Sequence, residues 1–272
     1  MQMDNAQPDG AGLAEEPAKV ASSDPDFMLS LARGLQVLQA FSDQRRSLTI
    51  AQISHRTDIP RASVRRCLHT LIQLGYAEAQ GNHFSLKPKV LSLGYSYLSS
   101  TPLTVSAHAY LNRISRSLNE SCSLAVLQDD EVLYVGRSAA SRIMSVSLTT
   151  GSRLPAYCTA LGRALLAHLP AKELDEYLAR VPLKAMTELT VVNPERLSEL
   201  LAEVQDDGYA LVEEELEIGL RSIAVPVRGA SGNVLAALNI GVHAARVSKR
   251  KMVEEFLPVM LEGAQELSVL LP

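Results

Sequence analysis

The chain of 272 residues contains no run of about 18 or more uncharged apolar residues, so the sequence predicts no membrane-spanning helix. Its cysteines, Cys67, Cys122 and Cys158, are odd in number, far apart and without a C-x-x-C pair. That argues against a disulfide framework or a zinc site, and for a reducing, cytoplasmic setting. The opening stretch MQMDNAQPDGAGLAEEPAKV lacks the basic start and apolar core of a signal peptide. His108, His168 and His243 are scattered, with no metal-binding spacing, and neither a Walker A loop nor a G-x-S-x-G elbow is present. No metal and no cofactor are expected. Cys158, just ahead of a helical run, is one possible reactive group, because a helix N-terminus can lower a thiol pKa. The acidic run EEELE at 213–217 is another, but consecutive positions point different ways and an acidic loop is the simpler reading. An enzyme is therefore not expected.

A second absence is more informative. Between 59 and 77 there is no Asp or Glu, although the chain as a whole carries a net charge of -4 and a pI near 5.9. Residues 1–27 hold one lysine against six acidic residues, and 28–89 hold nine basic against three acidic. The remaining 183 residues are again acidic. A basic segment inside an acidic protein is an electrostatic footprint for a polyanion.

Hydrophobic periodicity places elements around that segment. Residues 1–26 read as a disordered acidic tail. LSLARGLQVLQAF repeats Leu31, Leu35, Leu38 and Phe41 at helical spacing, with Val37 beside them. Thr49 can N-cap a short helix in which Ile50 and Ile53 face inward, and Thr57-Asp58 closes it. Pro60 suits the first turn of the next helix. This is the order of a helix-turn-helix. On the third helix Val64, Cys67, Leu68, Leu71 and Ile72 share one sector. Ala62, Arg65, Arg66, His69 and Gln73 lie opposite, with Arg61, Ser63 and Thr70 at the margins. The N-terminal end of such a helix reads bases in the major groove, where arginine can hold guanine in bidentate fashion. Which arginine meets bases and which meets phosphates is open; the alternative for all of them is a solvated face. Thr49 and Gln52 at the start of the preceding helix are further candidates for DNA contact. YAEAQGNHFSL then reads as a hairpin about Gly81-Asn82. It is either a wing that brings His83 to the DNA backbone or a cover for the small core.

KPKVLSLGYSYLSSTPL is apolar almost all round and reads as a connector that also packs against a partner chain. Beyond it an amphipathic helix is followed by two strands about Asp129-Asp130, then a third strand at RIMSVSL. Three helices come next, beginning with CTALGRALLAHL. YALVEEE, RSIAVPVRG and VLAALNIGV rebuild a sheet, and a long helix closes the chain. Strand pairs at both ends with helices between them describe an α+β domain with an antiparallel sheet.

Four segments, in order and spacing, carry a resemblance over nearly all of the chain from Ser30 to Leu271. They are SLARGLQVLQAF, LTIAQISHRTDIPRASVRRCLHTLIQLGY, GSRLPAYCTALGRALLA and EEELEIGLRSIAVPV with VLAALNIGV. The chain resembles the IclR family of bacterial transcriptional regulators. The resemblance implies a winged helix-turn-helix at 27–87, a linker helix at 88–101 and a GAF-like effector-binding domain at 102–272. It also implies a homodimer or tetramer on double-stranded promoter DNA, with RNA polymerase as a possible partner and no membrane. Within the family, DPDFMLSLARGL and YLSSTPL are similar to regulators of protocatechuate and β-ketoadipate catabolism. That points to an activator answering to β-ketoadipate. The alternatives are protocatechuate or 4-hydroxybenzoate as effector, or action as a repressor.

Family members hold small carboxylates in the C-terminal domain, and the matching positions here are Arg153, Leu154, Pro155, Ala156, Thr159, Ala160, Arg221, Ser222, Asn239 and Gly241. Ser222 stands where relatives have a small hydroxyl or thiol residue. Asn239 and Gly241 are two apart on one strand and so face one side; many relatives have Ser there, and Gly-Lys is frequent where this chain has Gly162-Arg163. Arg153 and Arg221 are the candidate cations for a carboxylate effector, with pairing to the Glu213-Glu214-Glu215 run as the alternative. A dimerisation module without any effector is the competing class.

Overall fold

The computed structural model describes residues 24–42, 45–100, 102–140 and 148–269. Most of the acidic tail, and nearly all of the strand expected at RIMSVSL, lie outside the described residues. Two compact units divide between Ser96 and Tyr97, inside the connector helix.

The first unit runs α1 (Leu29–Gln39), β1 (Ser47–Thr49), α2 (Ile50–Thr57), α3 (Arg61–Gln73), β2 (Ala77–Gln80) and β3 (His83–Leu86). A single turn at Pro88–Val90 then leads into α4 (Leu91–Ser100). Thr49 and Gln52 cap α2 reciprocally: Gln52 N–H donates to Thr49 Oγ1 at 3.3 Å, and Thr49 N–H donates to Gln52 Oε1 at 2.8 Å. Asp58 ends the helix in the left-handed region at φ 53°. Pro60 sits one residue before α3 rather than inside it, its extended ψ of 137° setting the entry angle. Val64, Leu68 and Leu71 are buried against Val37, Ala40, Leu48, Ile53, Ile59 and Ala77, with Cys67 and Ile72 at the rim of that core.

The hairpin closes through two residues, with Gln80 opposite His83 and Gly81 at φ 63°. Positive φ at the first turn position alone is the type II′ arrangement, which matches the twist of the strands. β1 was not legible in the sequence. It is three residues long, pairs antiparallel with β3 and makes the wing three-stranded, in the order β1-β3-β2.

One apolar helix differs from expectation, and a second leaves large side chains at the surface. Leu31 and Leu35 of α1 are 58% and 49% exposed, because the face turned to α3 carries Val37 and Ala40 instead. On α4, Leu91 and Tyr95 are 74% and 68% exposed.

The second unit begins with α5 (Pro102–Leu118) and continues with β4 (Ser121–Gln128), β5 (Glu131–Ser138), β6 (Arg153–Pro155) and α6 (Ala160–Leu166). α7 (Ala171–Arg180), α8 (Pro194–Asp207), β7 (Ala210–Glu213), β8 (Leu220–Arg228) and β9 (Val234–His243) follow. The last helix is α9 (Lys249–Lys251), one π turn (Met252–Phe256) and α10 (Leu257–Ser268). Six antiparallel strands lie in the order β6-β5-β4-β9-β8-β7. β6 falls where the sequence pattern reads as a loop.

Strand alternation divides this sheet into two faces. Cys122, Leu124, Leu238, Ile240, Val242, Ile223 and Val225 pack against Leu111 and Ile114 of α5 and Met260 and Leu267 of α10. Ala125, Ala237, Ala224 and Val212 face α6, with Tyr177, Leu197 and Leu201 behind it. α6 lies so close to the loop before it that a Cβ on Gly162 would stand 2.0 Å from the Ala156 carbonyl oxygen; only glycine fits.

The β4–β5 pair carries one irregularity, and it re-aims a side chain. From the turn, the strands pair Gln128 with Glu131 through Ala125 with Tyr134, and the register then shifts between Leu124 and Ala125. Beyond this bulge Leu124 pairs with Gly136 and Ser123 with Arg137. Val135 packs in the same core as Leu124, and a Cβ on Gly136 would touch Leu111. The extra residue thus turns Arg137 onto the face that carries Tyr134, Ser123 and Ser121.

Candidate functional site

That face carries a polar row at one end of the sheet. Arg137, Ser123 and Asn239 are cross-strand neighbours, and Ser121, Gly241 and Ser222 form the next row. All of these but Ser123 border a cavity closed by Tyr134, Leu148, Leu154, Leu161, Leu216 and Leu220, with Cys158, Thr159, Ala160, Val212, Glu214 and Glu215 completing the wall. Its free interior is about 50 Å³, well under the roughly 150 Å³ of an engineered cavity that holds benzene. A ligand of ring size enters only as a wall gives way.

The polar groups are arranged for an anion. Arg137 Nη1 donates to Ser123 Oγ at 2.9 Å and has no carboxylate partner among the described residues. Burial, the largest influence, pulls its pKa below the ordinary guanidinium value, while Tyr134 and Cys122 act in the opposite sense. Burial therefore works against this charge in the empty cavity, so a ligand carboxylate gains by neutralising it. Asn239 Nδ2 donates to Ser222 Oγ at 2.9 Å, and Ser222 donates to the Ile240 carbonyl at 3.3 Å. Asn239 Oδ1 is buried with no hydrogen-bond partner among the described residues. Leucines and Tyr134 supply the apolar remainder, the usual make-up of a small-molecule site.

Six of the ten positions singled out in the sequence, Leu154, Thr159, Ala160, Ser222, Asn239 and Gly241, line this cavity; Arg153, Pro155, Ala156 and Arg221 do not. Arg153 pairs with Glu131 at 3.1 Å. Arg221 donates through Nε to Glu213 at 2.8 Å and through Nη1 to the Ala244 carbonyl at 3.0 Å. Both are engaged with the protein, and among the described residues Arg137 is the cation that faces the cavity. Pro155 and Ala156 form the backbone shelf under α6. Thr159 uses its hydroxyl as the cap of α6, accepting from Gly162 N–H at 3.1 Å.

Neither possible catalytic feature has reactive chemistry. Cys158 is buried and its pKa is pushed up to about 12, first by burial and then by Glu215, so the helix-terminus effect does not prevail. In the acidic run, Glu213 binds Arg221 and Lys249, Glu214 accepts from Gly219 N–H, and Glu215 binds Arg163. Three of the run's four carboxylates thus serve separate structural contacts.

In the first unit Arg61, Ala62, Arg65, Arg66 and His69 are exposed on one side of α3. Among the described residues, the side chains of Arg61, Arg65 and Arg66 have no hydrogen-bond or ion-pair partner, as the absence of acids from 59–77 leads one to expect. Ser63 is half-buried and within 3.4 Å of Arg33 Nη1, so its hydroxyl belongs to the α1–α3 contact. Thr49 pairs with His83 across β1 and β3, which brings the start of α2 beside the wing tip. The side chains of Thr49 and Gln52 are held in their mutual cap.

Comparison with known proteins agrees with this geometry. Residues 30–81 match the IclR helix-turn-helix domain, and residues 95–269 match the bacterial transcriptional regulator IclR C-terminal domain. The chain is 53% identical to the Pca regulon regulatory protein of Pseudomonas putida, over 96% of this chain and 93% of that one. It is 36% identical to the p-hydroxybenzoate hydroxylase transcriptional activator of Acinetobacter baylyi, over 89% of this chain and 91% of that one. Among solved structures, an IclR homolog from Microbacterium hydrocarbonoxydans complexed with 4-hydroxybenzoate superposes with a TM-score of 0.75. It is 27% identical and covers 89% of this chain and 98% of its own. A DNA-binding helix-turn-helix and an effector-type domain thus occur here in the family's order, and the chain belongs to the IclR family of bacterial transcriptional regulators, not to an enzyme family.

Proposed function

We propose that this regulator activates genes for protocatechuate degradation in the cytoplasm, and that β-ketoadipate bound in the cavity of the second unit is its signal. The observation that carries the effector reading is Arg137, a partly buried guanidinium with no carboxylate partner among the described residues, on the wall of an otherwise mainly apolar cavity. Arg137 takes one carboxylate of the diacid. The second is left to neutral donors on the same face, Ser121, Ser222 and Asn239. The name and 53% identity of the Pseudomonas putida relative support the pathway.

On the DNA side, Arg61, Arg65, Arg66 and His69 are assigned to the major groove of a promoter site, with Ala62 allowing close approach. His83 at the wing tip is assigned to the neighbouring backbone. Thr49 and Gln52 contribute chiefly through the cap, which presents the α2 N-terminus beside that wing. The exposed apolar side chains of α1 and α4 are the surface for a second copy in a homodimer or tetramer, and RNA polymerase is the downstream partner. Effector binding changes regulation only by favouring one arrangement of the dimer over another.

Calorimetry of the full chain against β-ketoadipate, protocatechuate and 4-hydroxybenzoate tests the effector reading. The diacid is expected to bind tightest. Tighter binding of an aromatic acid transfers the role to that acid, as the 4-hydroxybenzoate complex of the Microbacterium homolog would favour. No heat with any of the three refutes the cavity as an effector site.

A further inference from the structure

At the cavity wall lies an ion pair separate from the cavity's polar row, with Glu215 in the lining and Arg163 behind it. Arg163 of α6 is 3% exposed and Glu215 is 7% exposed, and Arg163 Nη2 donates to Glu215 Oε2 at 2.7 Å. Arg163 Nε donates to the Tyr157 carbonyl at 2.9 Å, so one guanidinium grips both the segment before α6 and the loop after β7. Glu215 continues the chain: its carboxylate accepts from Val191 N–H at 3.0 Å, and its carbonyl accepts from Thr190 Oγ1 at 2.6 Å. Thr187 Oγ1 donates to the Glu214 carbonyl at 2.7 Å, and Tyr157 Oη donates to the Lys184 carbonyl at 2.7 Å. Every segment joined in this way either lines the cavity, as Cys158, Glu214, Glu215 and Leu216 do, or braces a segment that does.

We propose that the Arg163–Glu215 pair is a positioning strut for the effector cavity. It fixes the wall formed by Cys158–Leu161 and Glu214–Leu216, so that the wall that yields to an incoming effector is the opposite one, around Leu148 and Leu154. Two arguments separate this role from simple fold stability. A buried ion pair is a poor source of stability, because desolvating both charges offsets their attraction; hydrophobic residues of similar volume often do as well. What such a pair does provide is a fixed geometry, and here the geometry is that of a binding surface. The second argument is the choice of arginine. Its planar fork reaches Glu215 and Tyr157 at once, whereas a lysine ammonium is a single point that cannot span both in the same fixed orientation. The proposal rests on the effector reading of the cavity; of the pair, Glu215 reaches the cavity lining and Arg163 does not.

The test uses the full chain in three forms: wild type, Arg163→Lys, and the double variant Arg163→Met with Glu215→Leu, which removes both buried charges together. Thermal melting, hydrogen exchange and calorimetry with β-ketoadipate, protocatechuate and 4-hydroxybenzoate are read on each. A strut predicts that the double variant stays folded, its melt lowered by a few degrees because the Val191 N–H and the Tyr157 carbonyl lose their partners, yet binds the tightest acid about tenfold or more weakly. It predicts faster exchange confined to 156–161 and 214–219, and Arg163→Lys falling between the other two. Wild-type affinity in the double variant overturns the proposal, because the pair then only fills space. Tighter binding also overturns it, since the pair would then resist the ligand rather than place it. If the wild type binds none of the acids, the effector reading fails by itself. The strut is then judged by exchange alone, and unchanged protection at those two segments refutes it.

Discussion

Arg137→Met is the substitution with the most to say about the cavity. It keeps most of the side-chain bulk and removes the guanidinium that has no carboxylate partner among the described residues. A hydrogen bond to a charged group is worth about 1.5–3 kcal/mol, so losing the carboxylate anchor weakens binding by roughly 10- to 150-fold. Stability moves the other way or hardly at all. Burial disfavours the Arg137 charge in the empty protein, and removing it relieves that cost. Against this stands Ser123, which loses its 2.9 Å donor in a buried position. The two effects oppose each other, and Tm is expected to change by only a few degrees. The chain has no tryptophan, so calorimetry rather than intrinsic fluorescence is the assay. The control is the fully esterified effector, whose affinity should be nearly the same in both proteins. If Arg137→Met binds the free acid as the wild type does, the anchor is elsewhere. If acid and ester lose equally, the loss is one of shape and the electrostatic argument fails.

Arg65→Ala and Arg66→Ala should each weaken operator binding while leaving the melt of the first unit unchanged. A residue on a phosphate lowers the salt slope by about 0.9, and a residue on a base costs about 1–3 kcal/mol of discrimination at one position; unchanged footprints would refute the groove assignment. Gly162→Ala should lower Tm by about 10 °C, because the added methyl meets the Ala156 backbone at 2.0 Å and neither side can withdraw freely. A wild-type melt would mean that α6 is not seated against that carbonyl. Burial pushes the Glu213 pKa up, yet hydrogen bonds from Lys249 and Arg221 outweigh it and hold the carboxyl below its usual value. A depressed carboxylate contributes stability above its ordinary pKa and loses it as pH falls through the lower folded value. Wild type should therefore lose more stability on acidification than Glu213→Gln, and parallel curves of Tm against pH would exclude this contribution.

The first unit was largely legible in the sequence because its signals are local. The α3 stripe of Val64, Leu68 and Leu71, the Thr49 cap and the Gly81-Asn82 turn each act within a few residues. β1 escaped because three residues carry no readable alternation, and its pairing with β3 is fixed only in space. In the second unit the strand pairs and helices stood out, whereas β6 reads as a loop owing to Pro155. The cavity was reached through resemblance for the positions on β8, β9 and the α6 start. Arg137 was missed for a definite reason. Counting from the Asp129-Asp130 turn, a regular hairpin pairs it with Cys122 on the α5 side of the sheet. The bulge inserts one residue, and Arg137 turns to the opposite face. Bulges leave little trace in sequence; here the only cue was a glycine, Gly136, beside it. Arg153 and Arg221 stood out as cations, with pairing to the 213–215 run as the alternative; Glu213 does hold Arg221, whereas nothing in the sequence points to Glu131 as the partner of Arg153.

Because the sheet sorts its residues by face, the unit separates mutations that change selectivity from mutations that damage the protein. Ser121, Asn239 and Gly241 line the cavity and Ser123 holds Arg137 on the same face, while Cys122, Leu124, Leu238 and Ile240 between them hold the α5–α10 side. A library restricted to the first set, with Ser222 and Arg137, could explore new inducers while leaving half the core intact. Each strand offers alternate codons to variation and withholds the rest, which gives such a receptor a short mutational route from one metabolite to another.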